Sequence, residues 1–173
     1  MYFIAVLTSD EINQQVLAYK NYMLEKFGCK VALRSPAHVT LIPPFNMASE
    51  REGELLKALS FFWSEQQEFS VQLKDFNAFK PRVIYIDVML NEQLATVKRR
   101  LEHFLYQLAF PIKKETRPFH PHVTIANRDL SKYDFPKAWE HFQHLNYENE
   151  FVVKGISLLR SEAAGWKVVK GEK

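Results

Sequence analysis

The sequence predicts an α+β fold built twice over. Three observations carry this. Strand-length apolar runs alternate with amphipathic helical stripes. The order strand, helix, strand, helix, strand occurs twice along the 173 residues. The middle strand of each copy carries the same pattern, His38-Val39-Thr40-Leu41 and His122-Val123-Thr124-Ile125. Together they imply one compact domain with repeat units at about 1–80 and 81–173.

The elements follow in order. Met1 to Thr8 reads as a strand, and Ser9 or Asp10 can cap the helix after it. Ile12, Val16, Tyr19, Met23 and Phe27 form that helix's apolar stripe, and Gly28 is a natural stop. The first motif strand covers about 37–42 and is ended by Pro43-Pro44. Ser49-Glu50-Arg51-Glu52 is a capping-box sequence opening a helix with Leu55, Leu59 and Phe62 inward. A long strand, Phe69 to Phe79, completes the first unit.

The second unit opens with a strand from Val83 to Leu90. Asn91 caps a helix carrying Leu94, Val97, Leu101, Phe104 and Leu108. A basic, proline-punctuated loop from Pro111 to Pro121 leads to the second motif strand, about 122–126. Ser131 starts a helix with Phe135, Trp139, Phe142 and Leu145 on its stripe. A strand follows from Phe151 to Leu159, and Trp166 to Lys170 closes a hairpin through Ala163-Ala164-Gly165.

Side chains alternate faces along a strand, so His38 and Thr40 share one face while Val39 and Leu41 share the other. His122 and Thr124 are related in the same way to Val123 and Ile125. An imidazole exchanges a proton near neutral pH, and a hydroxyl donates to a phosphate oxygen. Two such pairs facing each other supply an acid and a base around one phosphorus. The duplication gives a reason for them to meet: units packed about a pseudo-two-fold axis bring both pairs to one cleft. Helices then cover the opposite sheet faces.

Composition excludes several classes. With 23 basic and 20 acidic residues the net charge is +3, too balanced for a dedicated nucleic-acid binder but compatible with a locally positive pocket. The single cysteine, Cys29, excludes an internal disulfide and a cysteine-based zinc site. A free thiol fits a reducing compartment, and a cytoplasmic location is expected. The run Tyr2 to Leu7 has no basic region before it and soon meets Asp10 and Glu11, as in a first strand rather than a signal peptide. No apolar stretch approaches the ~20 residues that span a bilayer, so no membrane partner is expected.

The doubled motif and its half-chain separation resemble the two-histidine (2H) phosphoesterase superfamily, which includes the 2′-5′ RNA ligase-like proteins and cyclic phosphodiesterases. Phe79-Lys80-Pro81-Arg82-Val83-Ile84-Tyr85 is similar to the segment that opens that family's second half. The resemblance implies a bilobal duplicated fold, with two antiparallel sheets around a central cleft and helices on the outer faces. Lobes there need not equal sequence halves, because the chain ends can share one lobe. It implies metal-independent opening of the 2′,3′-cyclic phosphate of an RNA end or a related cyclic nucleotide, with reversible 2′-5′ ligation as a side activity. His38 and His122 would be the catalytic base and acid, in an order the sequence leaves open. Thr40 and Thr124 would hold phosphate oxygens. No cofactor or metal is implied, and a monomer is expected.

Around this centre Arg128 shares parity with His122 and Thr124 if the strand extends so far. Arg34 and Arg117 stand shortly before the two motif histidines and are candidates for flanking phosphates. Phe119, Phe45 and Tyr85 are candidates for stacking on a base. Two other readings remain: a non-catalytic module binding an RNA end or nucleotide in the same cleft, and a metal hydrolase using His38, His120 and His122.

Overall fold

The computed structural model describes residues 1–169. Strand β1 (Tyr2–Leu7) leads into helix α1 (Asp10–Phe27) through Ser9, whose Oγ accepts from the Ile12 N–H at 3.3 Å. Gly28 ends α1 in the left-handed region at φ 69°, which a residue without Cβ adopts freely. A 3-10 turn (Ala32–Arg34) precedes β2 (His38–Phe45), and a second (Ser49–Arg51) precedes α2 (Glu52–Ser64). Then come β3 (Phe69–Phe79), β4 (Val83–Val88) and α3 (Glu92–Gln107), the last capped by the Asn91 side chain accepting from Leu94 N–H at 2.8 Å. The chain continues through β5 (His122–Ala126), α4 (Phe135–Phe142), β6 (Glu148–Val153), β7 (Ser157–Glu162) and β8 (Gly165–Val169).

All strand pairs among the described residues are antiparallel, in the order β6-β3-β4-β5-β2-β1-β7-β8. The middle of the chain builds one four-stranded half and its two ends build the other. The expected two sheets therefore exist as two halves, joined where β2 meets β5 through the single residue pair Val39–Val123.

The two faces differ in use. Val39, Leu41, Val123 and Ile125 point into the main core with Ile12, Val16 and Leu101, all essentially inaccessible. Burying such a side chain contributes ~1.5–3 kcal/mol. The helices cross over between units: α1 packs against β5 and α3 against β2. Each motif strand is thus backed by a helix from the other repeat. On the opposite face a small apolar cluster of Phe3, Ala5 and Leu159, flanked by Leu7 and Trp166, lies beside the motif side chains.

Several local expectations change. The run from Phe151 to Leu159 is two strands, not one: β6 pairs with β3, and after Gly155 β7 pairs with β1 in the other half. Both pieces are apolar enough for strand, and only the pairing partners separate them. β2 runs on through Pro43-Pro44 to Phe45, with a register irregularity opposite Phe3 absorbing the extra length. Ser49 forms no cap; its hydroxyl meets the Glu50 carboxylate, and the chain enters α2 by the 3-10 turn instead. Ser131 accepts from Asp134 N–H at 3.0 Å, and α4 begins only at Phe135. Lys170, expected to end the hairpin, lies outside the described residues.

Candidate active site

The Val39–Val123 pair fixes the geometry of the site. In an antiparallel register centred there, His38 falls opposite Thr124 and Thr40 opposite His122. Residues directly opposite point to the same face, so all four motif side chains stand together on the face away from the helices. His38, Thr40 and Thr124 line a cavity of about 410 Å³ with Arg34, Arg128 and Trp166. His122 is not part of that lining. It stands beside it on the strand that carries Thr124, close enough that its charge opposes a charge on His38.

Each imidazole is oriented in the same way. The His38 Nδ1–H donates to the Pro36 carbonyl at 2.7 Å, and the His122 Nδ1–H donates to the His120 carbonyl at 2.8 Å. A carbonyl can only accept, so Nδ1 carries the proton in both rings and Nε2 is left for chemistry. The partner lies two residues back in each case, so strand entry itself sets the ring.

The surroundings of the two rings differ. His38 packs on Phe3, with ring centroids 4.9 Å apart, and Phe3 meets Trp166 edge-on at 4.7 Å. Burial pushes the His38 pKa down to about 4, with Lys20 and His122 adding to the shift against the pull of the Pro36 carbonyl. His122 packs between Phe79 and Tyr85, with centroids 5.1 and 5.0 Å away. Its pKa is also lowered by burial and by His120, while the His120 carbonyl and the Asp87 carboxylate oppose the fall. Asp87 and Tyr85 come from β4, directly opposite His122 and Thr124. The Tyr85 hydroxyl lies 3.2 Å from His120 Nε2, and the Asp87 carboxylate 3.3 Å from the same nitrogen.

The other expected contacts divide. Arg34 and Arg128 reach the cavity. Arg34 also donates to the carbonyls of Glu162 and Ala163 at 3.4 and 3.3 Å, which ties the 3-10 turn to the β7–β8 hairpin. Arg117 stays on its loop, 84% exposed and paired with Glu115 at 3.0 Å, away from the cavity lining. Phe45 is buried in the main core beside Tyr2 and cannot stack on a ligand. Phe119 packs against the same core at its margin. Tyr85 faces the site but is buried beneath Phe79, and it is the exposed Phe79 that offers a ring surface. Among the described residues no three His, Cys, Asp or Glu side chains gather as a metal-ligand set, so His38, His120 and His122 do not form one.

Sequence reading missed Trp166, Phe3 and Asn127. Asn127 lines the cavity with a buried Oδ1 that has no partner among the described residues. Phe3 shares parity with Ala5 and Leu7 on the first strand, so a signal for it exists. Trp166 reaches the cavity only because the chain ends pair with each other, which no local pattern reveals.

Comparison with known proteins gives a consistent picture. A family model described as the 2′-5′ RNA ligase superfamily matches residues 8–165. A protein of Geobacillus sp. (strain WCH70) with the provisional name phosphoesterase is 28% identical over 170 residues, covering 96% of this chain and 92% of its own. The RNA 2′,3′-cyclic phosphodiesterase of Bacillus subtilis (strain 168) is 30% identical over 104 residues, 57% of this chain and 55% of that one. Among solved structures, TT0787 of Thermus thermophilus superposes with a TM-score of 0.71 at 20% identity, covering 99% of both chains. LigT of E. coli complexed with 3′-AMP gives 0.65 at 23%, covering 98% of this chain and 94% of that one.

Proposed function

The chain belongs to the 2′-5′ RNA ligase superfamily, and from that premise we propose that it opens 2′,3′-cyclic phosphates at RNA ends or on a related cyclic nucleotide. One observation carries the reading: both His-x-Thr pairs flank the Val39–Val123 bridge on one face of the sheet. Binding alone has no need of two oriented proton-transfer groups.

Hydrolysis requires a base to take a proton from water and an acid to protonate the leaving ribose oxygen on the far side of phosphorus. The two environments support one division of these roles. His38 is held unprotonated at neutral pH with a free Nε2, which suits the base. Burial lowers the His122 pKa as well, but the His120 carbonyl and the Asp87 carboxylate oppose the fall, and a bound phosphate anion would favour its protonated form, which suits the acid. The P–O bond to one ribose oxygen breaks as the bond to the water oxygen forms. His38 keeps the water proton and His122 gives one to the departing oxygen. Thr40 and Thr124 donate to the phosphate oxygens where charge builds, with Arg34 and Arg128 as cations beside them. With an RNA 5′-hydroxyl in place of water, the same proton transfers form a phosphodiester linkage between two RNA ends, a 2′-5′ bond when the 3′ oxygen departs.

The name of the Bacillus subtilis relative, RNA 2′,3′-cyclic phosphodiesterase, supports this substrate class. The test is incubation with a 2′,3′-cyclic nucleotide with and without chelator. Turnover that survives chelator is expected. Turnover abolished by chelator would indicate a metal hydrolase, and binding without turnover would indicate a recognition module.

A further inference from the structure

Lys20 is a buried lysine with no evident structural need. It is 4% exposed, and among the described residues no carboxylate lies within ion-pair distance of it. Its Nζ donates to one neutral group, the Ser35 carbonyl, at 3.0 Å. A lysine is rarely buried without an acidic partner, because desolvating an ammonium is costly. Burial accordingly lowers its pKa to about 8.

Its surroundings supply a reason. Asn13 lies two helical turns earlier on the same side of α1, and its Oδ1 accepts from the Ala37 N–H at 2.7 Å. Ser35, Pro36 and Ala37 are the three residues that lead into His38. The first is held by Lys20, the last by Asn13, and the carbonyl between them receives the His38 ring. Lys20 also places a cation near His38. Among the described residues nothing equivalent stands behind His122, whose carbonyl partner His120 meets Asp87 and Tyr85 instead.

We propose that Lys20 and Asn13 are positioning residues of the active site: they clamp the Ser35–Ala37 segment so that the Pro36 carbonyl fixes the His38 ring, and the Lys20 ammonium opposes a charge on that ring. The proposal rests on the assignment of His38 as proton acceptor. Its test does not depend on turnover.

The test is a pH titration of the ring nitrogens of His38 and His122 by NMR on the full-length ¹⁵N,¹³C-labelled protein. The charged groups facing His38 are Lys20 from α1, Arg34 from the 3-10 turn, His122 from β5, Arg128 after β5, and the Met1 amino group at the cavity edge. In Lys20→Met the His38 midpoint should rise by roughly half a unit or more, and its Nδ1–H tautomer should become mixed. His122 should hold its midpoint. Lys20→Arg should restore the midpoint but not the tautomer, because the larger head cannot occupy the same place. Unchanged His38 behaviour in a folded Lys20→Met protein overturns the proposal. If that variant does not fold, wild type decides: His38 should show a second inflection that coincides with the titration of the Lys20 ¹³Cε resonance. Absence of that inflection also overturns the proposal. If wild type turned over no cyclic phosphate while these shifts appeared, the functional reading would fail and the clamp would stand.

Discussion

Removing either imidazole should abolish most turnover. His38→Ala and His122→Ala are each expected to lower kcat by ~10²–10⁴-fold in a 2′,3′-cyclic nucleotide assay, and wild-type rates in both would end the two-histidine reading. Thr40→Val and Thr124→Val keep the shape and remove a donor, so each should cost about 10²-fold. The pH dependence follows from the same side chains. The base must be unprotonated, so activity should rise through the His38 pKa of about 4. The acid must be protonated, so activity should fall through the His122 pKa, which lies below its ordinary value in the free protein. The kcat/KM profile should therefore be a bell centred on the acidic side of about pH 6.5. A bound phosphate favours imidazolium, so the basic limb of kcat should lie at higher pH than that of kcat/KM. A monotonic profile would contradict paired imidazoles. That these four side chains share a face is legible in the sequence, because a motif and strand parity are local properties. Phe45 was misjudged for a related reason: β2 runs on through its prolines and turns that ring to the core face, so the residue type alone misled. Arg117 lies near His122 in sequence, but Glu115, two residues away, holds it on its own loop.

At the level of the elements, caps and stripes were read well where a side chain meets its own helix. Ser9, Asn91 and Gly28 do what their types predict. Asn91→Ala should cost ~1 kcal/mol, measured as a lower urea midpoint with unchanged slope. What escaped was every feature decided by a distant partner. One apolar run from Phe151 to Leu159 serves two halves of the sheet, and its division at Gly155 depends on where β3 and β1 lie. The capping box at Ser49 had the right letters but met a 3-10 entry whose geometry gives its hydroxyl no backbone donor to accept from.

Taken whole, the molecule interlocks its repeats. β3 belongs to the first unit yet takes both its neighbours, β4 and β6, from the second, and α1 and α3 each back the other unit's motif strand. Residues 1–80 expressed alone should therefore fail to give protected amides in hydrogen exchange. The full chain should unfold in a single transition followed equally by circular dichroism and tryptophan fluorescence; two separated transitions would show the lobes to be independent. The interlocking also bears on how two copies of one motif come to have different surroundings. A two-fold dimer of identical units would be bound by symmetry to give both histidines the same neighbours in the free protein. Joining the copies in one polypeptide lifts that constraint. Each copy can then acquire its own companions, a lysine behind one ring and an aspartate beside the other, and on the proposed reading a preferred direction of proton flow becomes heritable.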